Sequence, residues 1–503
     1  MVDAARLPEP VSYYRRLIEF CHEWELNALL VRLTDDQGAA LRFRSHPELV
    51  THLHALTLED ARDLAAYGAQ RGVTLIPEVE SFGHTRYITA VSRHAHLEDR
   101  DPGGPAGFSG LSPVAPETLA LIGDLYREVA EAFPSRYLHA GCDEVNWGGS
   151  ERSRRAIEAR GRAQVVADHI NGLNEICRRL SRELIVWGDG VLHREPDIAP
   201  RLEKSVIVMD WQYLATDPRA IARAAERAIA QGLRVIGAPA LIFCAWGPRA
   251  GHQQLRNVDA FADGYAGVDD PRCLGVIVTN WVPSRYLQRS LWDHLAYAAV
   301  ALRRGSAAAQ QSAFRNFVER FYGTGWSSSW RAIFDTYYRI APHRPSCAPR
   351  LSGPRLPVPW ASEVDLREML RAGPIDAAPY ARLHARLLSV GHSVRQNEGD
   401  FSALALSAEY LGHAFWRQAA VEQARQGRGR RSAGGLLERI AERDRTMVEK
   451  LDADWNVGRF SDSPGKLETA PGLEPADQLL FRVRQAAEFS AQLAREAIGL
   501  AGS

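Results

Sequence analysis

Short apolar runs rich in β-branched residues recur along this chain, and longer amphipathic stretches fill the intervals between them. The runs are LNALLVRL (Leu26–Leu33), GVTLIPEVE (Gly72–Glu80), RYLHAGCD (Arg136–Asp143), ELIVWGD (Glu183–Asp189), SVIVMDW (Ser205–Trp211), LRVIGAPA (Leu233–Ala240) and LGVIVTNW (Leu274–Trp281). Strand patterns that alternate with helix patterns imply parallel βαβ units. TLEDARDLAAYGAQRG (Thr57–Gly72) shows the helical half of the unit: Thr57 can cap the start with Asp60 three residues on, and Gly72 closes the end. PETLALIGDLYREVAEAF and DPRAIARAAERAIAQG repeat the scheme. A further strand at the extreme N-terminus brings the count to eight, which is the count of an α/β (β/α)8 TIM barrel. A doubly wound open sheet would want a Gly-rich phosphate turn after its first strand, and LTDDQG is not one.

Past Arg304 the strand patterns stop. A Pro-rich connector, APHRPSCAPRLSGPRLPVP, runs from Ala341 to Pro359, and helical patterns dominate to Ser503. The expected organisation is a barrel over residues 1–305 followed by a mainly α-helical C-terminal region over 306–503. The basic run RQGRGRR (Arg425–Arg431) reads as a solvated helix–helix connection.

Bulk composition narrows the class. Among 503 residues, 61 Lys plus Arg balance 61 Asp plus Glu, so no net charge argues for a nucleic-acid or anionic-membrane partner. No apolar stretch reaches the ~18 residues of a membrane span. The six cysteines (Cys21, Cys142, Cys177, Cys244, Cys273, Cys347) include no CxxC pair, so buried free thiols are expected rather than a disulfide framework. MVDAARLPEPVSYY has no basic start followed by an apolar core, which makes the cytoplasm the default expectation.

A barrel of this kind builds its site at the C-terminal ends of its strands. Read in order, those ends carry Arg6, Asp35–Asp36, Glu78–Glu80–His84, His139–Asp143–Glu144, Trp187–Asp189, Trp211–Tyr213 and Trp281. Tryptophan faces stack on sugar rings, and paired carboxylates do the proton work of glycoside cleavage. The expected ligand is therefore a carbohydrate. Asp143 and Glu144 can face one cavity only if the strand ends there and the chain turns, which NWGG just beyond them allows.

The motif RYLHAGCDEV resembles the His-x-Gly-Gly-Asp-Glu motif of glycoside hydrolase family 20, the β-N-acetylhexosaminidases, with Cys142 in place of the second glycine. Other stretches follow in family order. LNALLVRLTDDQG resembles the family's Asn…Leu-x-Asp-Asp-Gln stretch, with Arg32 where histidine is usual, and VDAAR resembles its opening Asp-x-x-Arg. IPEVESFGHT resembles Pro-Glu-x-Asp-x-x-Gly-His-Thr, with Glu80 for aspartate and Phe82 for proline. SPVAPETLALIGDLYREVAEAFPSRYLH follows the family's lead-in to the catalytic strand, and TNWVPSRY is similar to the divergent intracellular branch. Together the motifs cover about residues 2 to 300.

The resemblance implies an exo-acting enzyme on N-acetylhexosaminide glycans, with no cofactor and no metal, in which the substrate's 2-acetamido oxygen is the nucleophile. It assigns Glu144 as general acid and base, Asp143 as the ionised partner of the acetamide N–H, and His84 and Asp35 as a support chain, with Asp36 able to exchange with Asp35. Trp187, Trp211 and Trp281 would wall the acetamide pocket, Tyr213 would donate to the acetamide carbonyl, and Arg6 would grip outer hydroxyls. His139 is either a substrate contact or a hydrogen-bonded structural residue. Two departures bear on sugar preference: no Tyr-x-Asp stands in GAPALIFCAWG, and Pro283 replaces an acid after Trp281. Only five residues precede Arg6, so a stunted first strand and a loosely fixed Arg6 are expected; either the protein starts at this Met or its start lies upstream. Two rival readings are a catalytically inactive glycan-binding barrel and a metal-dependent hydrolase using His46, His52 or His54.

Overall fold

The computed structural model describes residues 1–104, 108–242, 252–340, 378–426, 430–460 and 479–499. Eight parallel strands lie side by side in chain order: β1 (Val2–Asp3), β2 (Ala28–Arg32), β3 (Thr74–Glu78), β4 (Tyr137–His139), β5 (Glu183–Trp187), β6 (Ile207–Trp211), β7 (Arg234–Ala238) and β8 (Cys273–Val276). The sheet curls into the expected barrel. Each apolar run supplies one strand, but most strands stop short of the run's C-terminal end. β4 ends at His139, so Ala140–Asp143 belong to the turn that follows it.

The two-residue alternation of strands decides what the barrel encloses. Leu30, Ile76, Ile185, Ile207, Met209 and Ile236 point inward and pack together. Leu29, Val31, Leu75, Leu184, Val186 and Val208 point outward under the helices and join the larger core. Counting two residues on from the inward set reaches Arg32, Glu78, Trp187 and Trp211, so the apolar interior gives way to polar and aromatic side chains at the last inward position.

The outer layer holds α1 (Val11–Glu23), α2 (Leu58–Ala69), α3 (Pro116–Ala132), α4 (Arg162–Arg179), α5 (Pro218–Ala230), α6 (His252–Ala266) and α7 (Trp292–Arg304). No α-helix joins β5 to β6; a six-residue π turn (Asp189–Arg194) and a 3-10 turn (Ala199–Arg201) make that crossing. At α2 the expected capping box is present: Thr57 accepts from the Asp60 N–H, and Asp60 accepts from the Thr57 N–H.

β1 is as short as expected. Across the seam beside it the Met1 amino group, buried and pushed down to about 6 by that burial, donates to the Val278 carbonyl at 2.6 Å. A cavity of about 580 Å³, lined by Met1, Val2, Leu29, Cys273 and Gly275 among others, occupies the seam. Arg6, however, is well held. Its guanidinium reaches Asp3 and Asp35 at 3.0 Å each, and two carboxylates fix it where strand pairing does not.

Beyond α7 come α8 (Ser306–Phe321), α9 (Ser328–Ile340), α10 (Ala378–Gly391), α11 (Glu398–Gln426), α12 (Arg430–Trp455) and α13 (Leu479–Gly499). Asp400 at the start of α11 ties them to the barrel, accepting from the Trp292 indole at 2.9 Å and from Arg16 at 2.6 Å. The connector 341–359, Cys244, Cys347, residues 427–429 of the basic run and 243–247 of the strand-seven stretch lie outside the described residues. Among the described residues the cysteines are free, and no helix is long and apolar enough to cross a membrane.

Losing the α2 capping box sets a scale for local stability. Thr57→Ala is expected to lower unfolding stability by about 1 kcal/mol without changing the m-value, measured by urea titration.

Candidate active site

Arg32 closes β2 with its guanidinium fully buried. One nitrogen meets Glu78 Oε1 at 2.5 Å and Glu80 Oε1 at 2.7 Å; the other two donate to Asp35 Oδ2 at 2.6 and 2.9 Å. Arg32 and Glu80 were read above as separate departures from the family pattern. In the fold they are ion-pair partners. Cys142, a third departure, donates its backbone N–H to Glu80 Oε2 at 3.1 Å, so the three unusual residues meet in one place.

The turn after β4 answers how Asp143 and Glu144 share a cavity. Gly141, Cys142 and Glu144 all take positive φ (67°, 75° and 48°), which turns the chain within five residues of the strand end. A side chain at Gly141 would collide with the Glu80 carboxylate, its Cβ 1.9 Å from Oε2. Gly83 is pressed as tightly, since a Cβ there would sit 2.0 Å from the Asp143 carbonyl. The Glu144 N–H is tied to Asp189 Oδ2 at 3.1 Å. Left-handed backbone at non-glycine residues persists only where the surroundings over-determine it, and here three carboxylate-centred contacts do so.

His84 lies at the centre of four carboxylates. Its Nε2 is 3.7 Å from Asp143 and 3.5 Å from Glu144; its Nδ1 is 3.6 Å from Asp35 and 3.7 Å from Asp36. The two aspartates are thus nearly equidistant from His84, but only Asp35 continues to Arg6 and Arg32, while Asp36 accepts from the Arg86 N–H. Phe108 covers the imidazole at 3.9 Å, a contact that nothing in the sequence motif signals.

Charge follows from this packing. Burial disfavours the His84 imidazolium, yet Asp35 and Asp143 outweigh it and hold the pKa well above the ordinary value. Burial also opposes charge on Asp143, but His84 and Arg32 keep its carboxyl below the usual range. Glu80 goes the other way: burial, with Asp143 beside it, raises it well above a normal glutamate against the pull of Arg32. Burial likewise pushes Asp189 up to about 6 and His139 down to about 3. Neutral His139 accepts the Gly141 N–H at Nδ1 (3.0 Å) and is wholly buried. Glu144 alone keeps over a third of its side chain exposed, at 37%.

The aromatic residues form one contiguous wall. Trp187 is fully buried, with its indole N–H on Glu78 Oε1 at 2.8 Å and its ring 5.7 Å from Trp281. Trp281 donates to the Tyr213 hydroxyl at 2.9 Å, and Trp211 stacks on Tyr213 at 4.9 Å. Trp281 lies beyond β8 rather than on it, following a short strand (Thr279–Asn280) that pairs with Ala240–Ile242. The Arg6 guanidinium sits 5.3 Å from the Trp281 ring.

All ten residues singled out by sequence therefore converge at one end of the barrel. Arg32, Glu78, Glu80 and Asp189 belong with them. For Glu78 and Asp189 the signal was the count of acids at strand ends, which exceeds what the expected support chain uses; for Arg32 and Glu80 it was their departure from the family motif. The three histidines of the metal reading do not converge: His52 bonds the Ala5 carbonyl at 2.6 Å, His54 stacks on Phe460, and His46 reaches Glu48 and Asp124. Among the described residues three groups have metal-ligand spacing: His46 with Glu48 and His94, His84 with Asp35 and Asp36, and His84 with Asp143 and Glu144.

These charge states make opposite substitutions unequal. Glu80→Gln removes a charge that burial and Asp143 already disfavour, and is expected to cost about 1 kcal/mol or less. Asp35→Asn leaves Arg32, Arg6 and His84 short of their counter-charge and is expected to cost about 3–5 kcal/mol. Urea unfolding of the two variants at pH 7 makes the comparison.

Residues 1–258 match the family described as "Glycosyl hydrolase family 20, catalytic domain". A Vibrio furnissii protein named beta-hexosaminidase is 26% identical over 243 residues, covering 42% of this chain and 39% of that protein. Human hexosaminidase D is 26% identical over 202 residues, covering 40% and 37%. The chain thus spans well under half the length of these relatives. The Flavobacterium johnsoniae chitobiase structure shares the fold at a TM-score of 0.50 and 17% identity, covering 87% of this chain and 74% of that one. The matched profile takes in the His139–Glu144 turn, His84 and Arg32 alike, and the chain belongs to glycosyl hydrolase family 20.

Proposed function

We propose that this chain is an exo-acting β-N-acetylhexosaminidase that removes terminal GlcNAc or GalNAc with retention of configuration. The observation that carries the reading is the pairing of an ionised, buried Asp143 with a partly exposed Glu144 across one imidazolium. A retaining enzyme with its own nucleophile needs one carboxylate able to reach the anomeric carbon. Here Asp143 is enclosed, so a nucleophile carried by the substrate fits better.

In the proposed sequence Glu144 protonates the leaving glycosidic oxygen while the 2-acetamido oxygen attacks C1. The C1–O bond to the leaving group breaks and an oxazolinium ion forms. Asp143 accepts the acetamide N–H, which orients the amide and offsets the positive charge that develops. Glu144, now a carboxylate, takes a proton from water as that water attacks C1, and the ring opens to the free sugar. Two inversions at C1 give net retention.

His84 and Asp35 hold Asp143 and Glu144 in register. Trp187, Trp211 and Trp281 enclose the acetamide, and the Tyr213 hydroxyl, which accepts from Trp281, is assigned to the acetamide carbonyl. His139 supports the turn through Gly141. Arg6 presents its remaining N–H groups to sugar hydroxyls. We assign the chemistry to residues 1–305 and treat 306–503 as a distinct helical region.

Two measurements test this. Glu144→Gln is expected to lose at least roughly 10²-fold in turnover of poor-leaving-group substrates, and less with activated aryl groups that need little protonation. The matching plain glucoside is expected to be essentially unhydrolysed. Its ready cleavage, or a trapped ester at Asp143, would sink the mechanism, and no turnover of any N-acetylhexosaminide would favour the inactive glycan-binding barrel.

A further inference from the structure

The segment that ends α12, from Asp454 to Phe460, lies against three connections at the C-terminal end of the barrel. Arg459 is its centre. The buried guanidinium donates from Nε to Glu9 Oε1, from one terminal nitrogen to the Tyr286 carbonyl and from the other to the Pro283 carbonyl, all at 3.0 Å. Glu9 belongs to the connection that follows β1 and carries Arg6; Pro283 and Tyr286 belong to the turn that follows Trp281. On either side, the Gly458 carbonyl accepts from Gln288 at 3.2 Å, and Phe460 stacks on His54, in the connection after β2, at 3.8 Å.

Between Trp281 and Pro283 the chain does something costly. Val282 has φ +55°, a left-handed conformation in which a β-branched residue is a genuine outlier. Such strain persists only when neighbours over-determine it. Two do. The Val282 N–H is held by Asp3 Oδ2 at 3.0 Å, and the next carbonyl is held by Arg459. The same Asp3 carboxylate grips Arg6. A continuous bonded path therefore runs from the C-terminal region through the strained Val282 to Trp281 and Arg6.

We propose that Arg459 is a positioning residue for the sugar site: by holding Glu9 and the Pro283 and Tyr286 carbonyls at once, it fixes the Val282 turn and with it the orientation of Trp281. The C-terminal helical region thus completes the site without touching substrate. This also gives a place to Pro283, which stands where the family resemblance leads one to expect an acid: its carbonyl is a handhold for the arginine.

The proposal rests on the hexosaminidase reading for its kinetic consequence but not for its structural one, and the experiment keeps them apart. In full-length chain labelled with 15N-tryptophan, Trp281→Phe identifies the Trp281 indole resonance. Arg459→Lys keeps a charge for Glu9 but lacks the planar fork that spans both carbonyls. It is expected to shift or broaden that resonance and to raise KM for a chromogenic N-acetylglucosaminide about 10-fold, with kcat within about 3-fold. Adding Val282→Gly, which removes the cost of positive φ, is expected to bring KM back to within about 3-fold of wild type. Arg289→Ala breaks a different contact of the same segment, with Asp454, and is expected to lower thermal stability while leaving KM and the indole signal alone. An unchanged indole resonance in Arg459→Lys overturns the proposal, as does an equal KM rise in Arg289→Ala. A wild-type chain that turns over no substrate overturns the functional reading instead and leaves the indole comparison to decide the clasp.

Discussion

One guanidinium, that of Arg32, faces three buried carboxylates, and the arrangement of the site follows from how that imbalance is resolved. An isolated charge this deep would be costly, and a charge pair persists only when its remaining polar atoms are also met. Asp35 has Arg6 and His84 as further cationic neighbours and stays ionised. Glu80 has Arg32 too, but burial and the neighbouring Asp143 push its pKa up. Its carboxyl lies against the Cys142 N–H and the Gly141 backbone, beside the Asp143 side chain. The left-handed turn that carries Asp143 and Glu144 is braced by that carboxyl. Exposure then separates the two acids: Asp143 is enclosed with its cations, while Glu144 keeps one side to the mouth of the barrel.

Much of the fold was legible because the runs that became strands are apolar, β-branched and bounded by turn residues. Their C-terminal ends were not. Ala140–Asp143 and Gly188–Asp189 continue an apolar-looking run, yet they leave the sheet because Glu80 requires a glycine at 141 and because Asp189 turns to meet the Glu144 N–H. No local pattern encodes either partner. The absence of a helix between β5 and β6 and the displacement of Trp281 beyond β8 are equally tertiary facts.

For the candidate site, the meeting of Asp143, Glu144, His84, Asp35 and Arg6 at one end of the barrel was legible from strand-end position and family motif. Arg32 and Glu80 were readable only as exceptions. They lie 48 positions apart in sequence and 2.7 Å apart in the fold, so that a histidine-to-arginine departure on one strand is matched by an aspartate-to-glutamate departure beyond the next. The expectation of a loosely held Arg6 failed for a related reason. Strand length predicted its mobility, but Asp3 and Asp35 hold it by charge.

The proposed chemistry requires this network to keep Asp143 ionised beside the partly exposed Glu144. The direct measurement is a 13C NMR pH titration of aspartate side-chain carboxyls, with Asp143→Asn identifying the Asp143 signal. Burial opposes the charge and His84 and Arg32 overcome it, so the Asp143 carboxyl is predicted to titrate below the ordinary aspartate value of about 3.9. An inflection at or above that value would show that the cations do not hold it ionised, and would contradict the account.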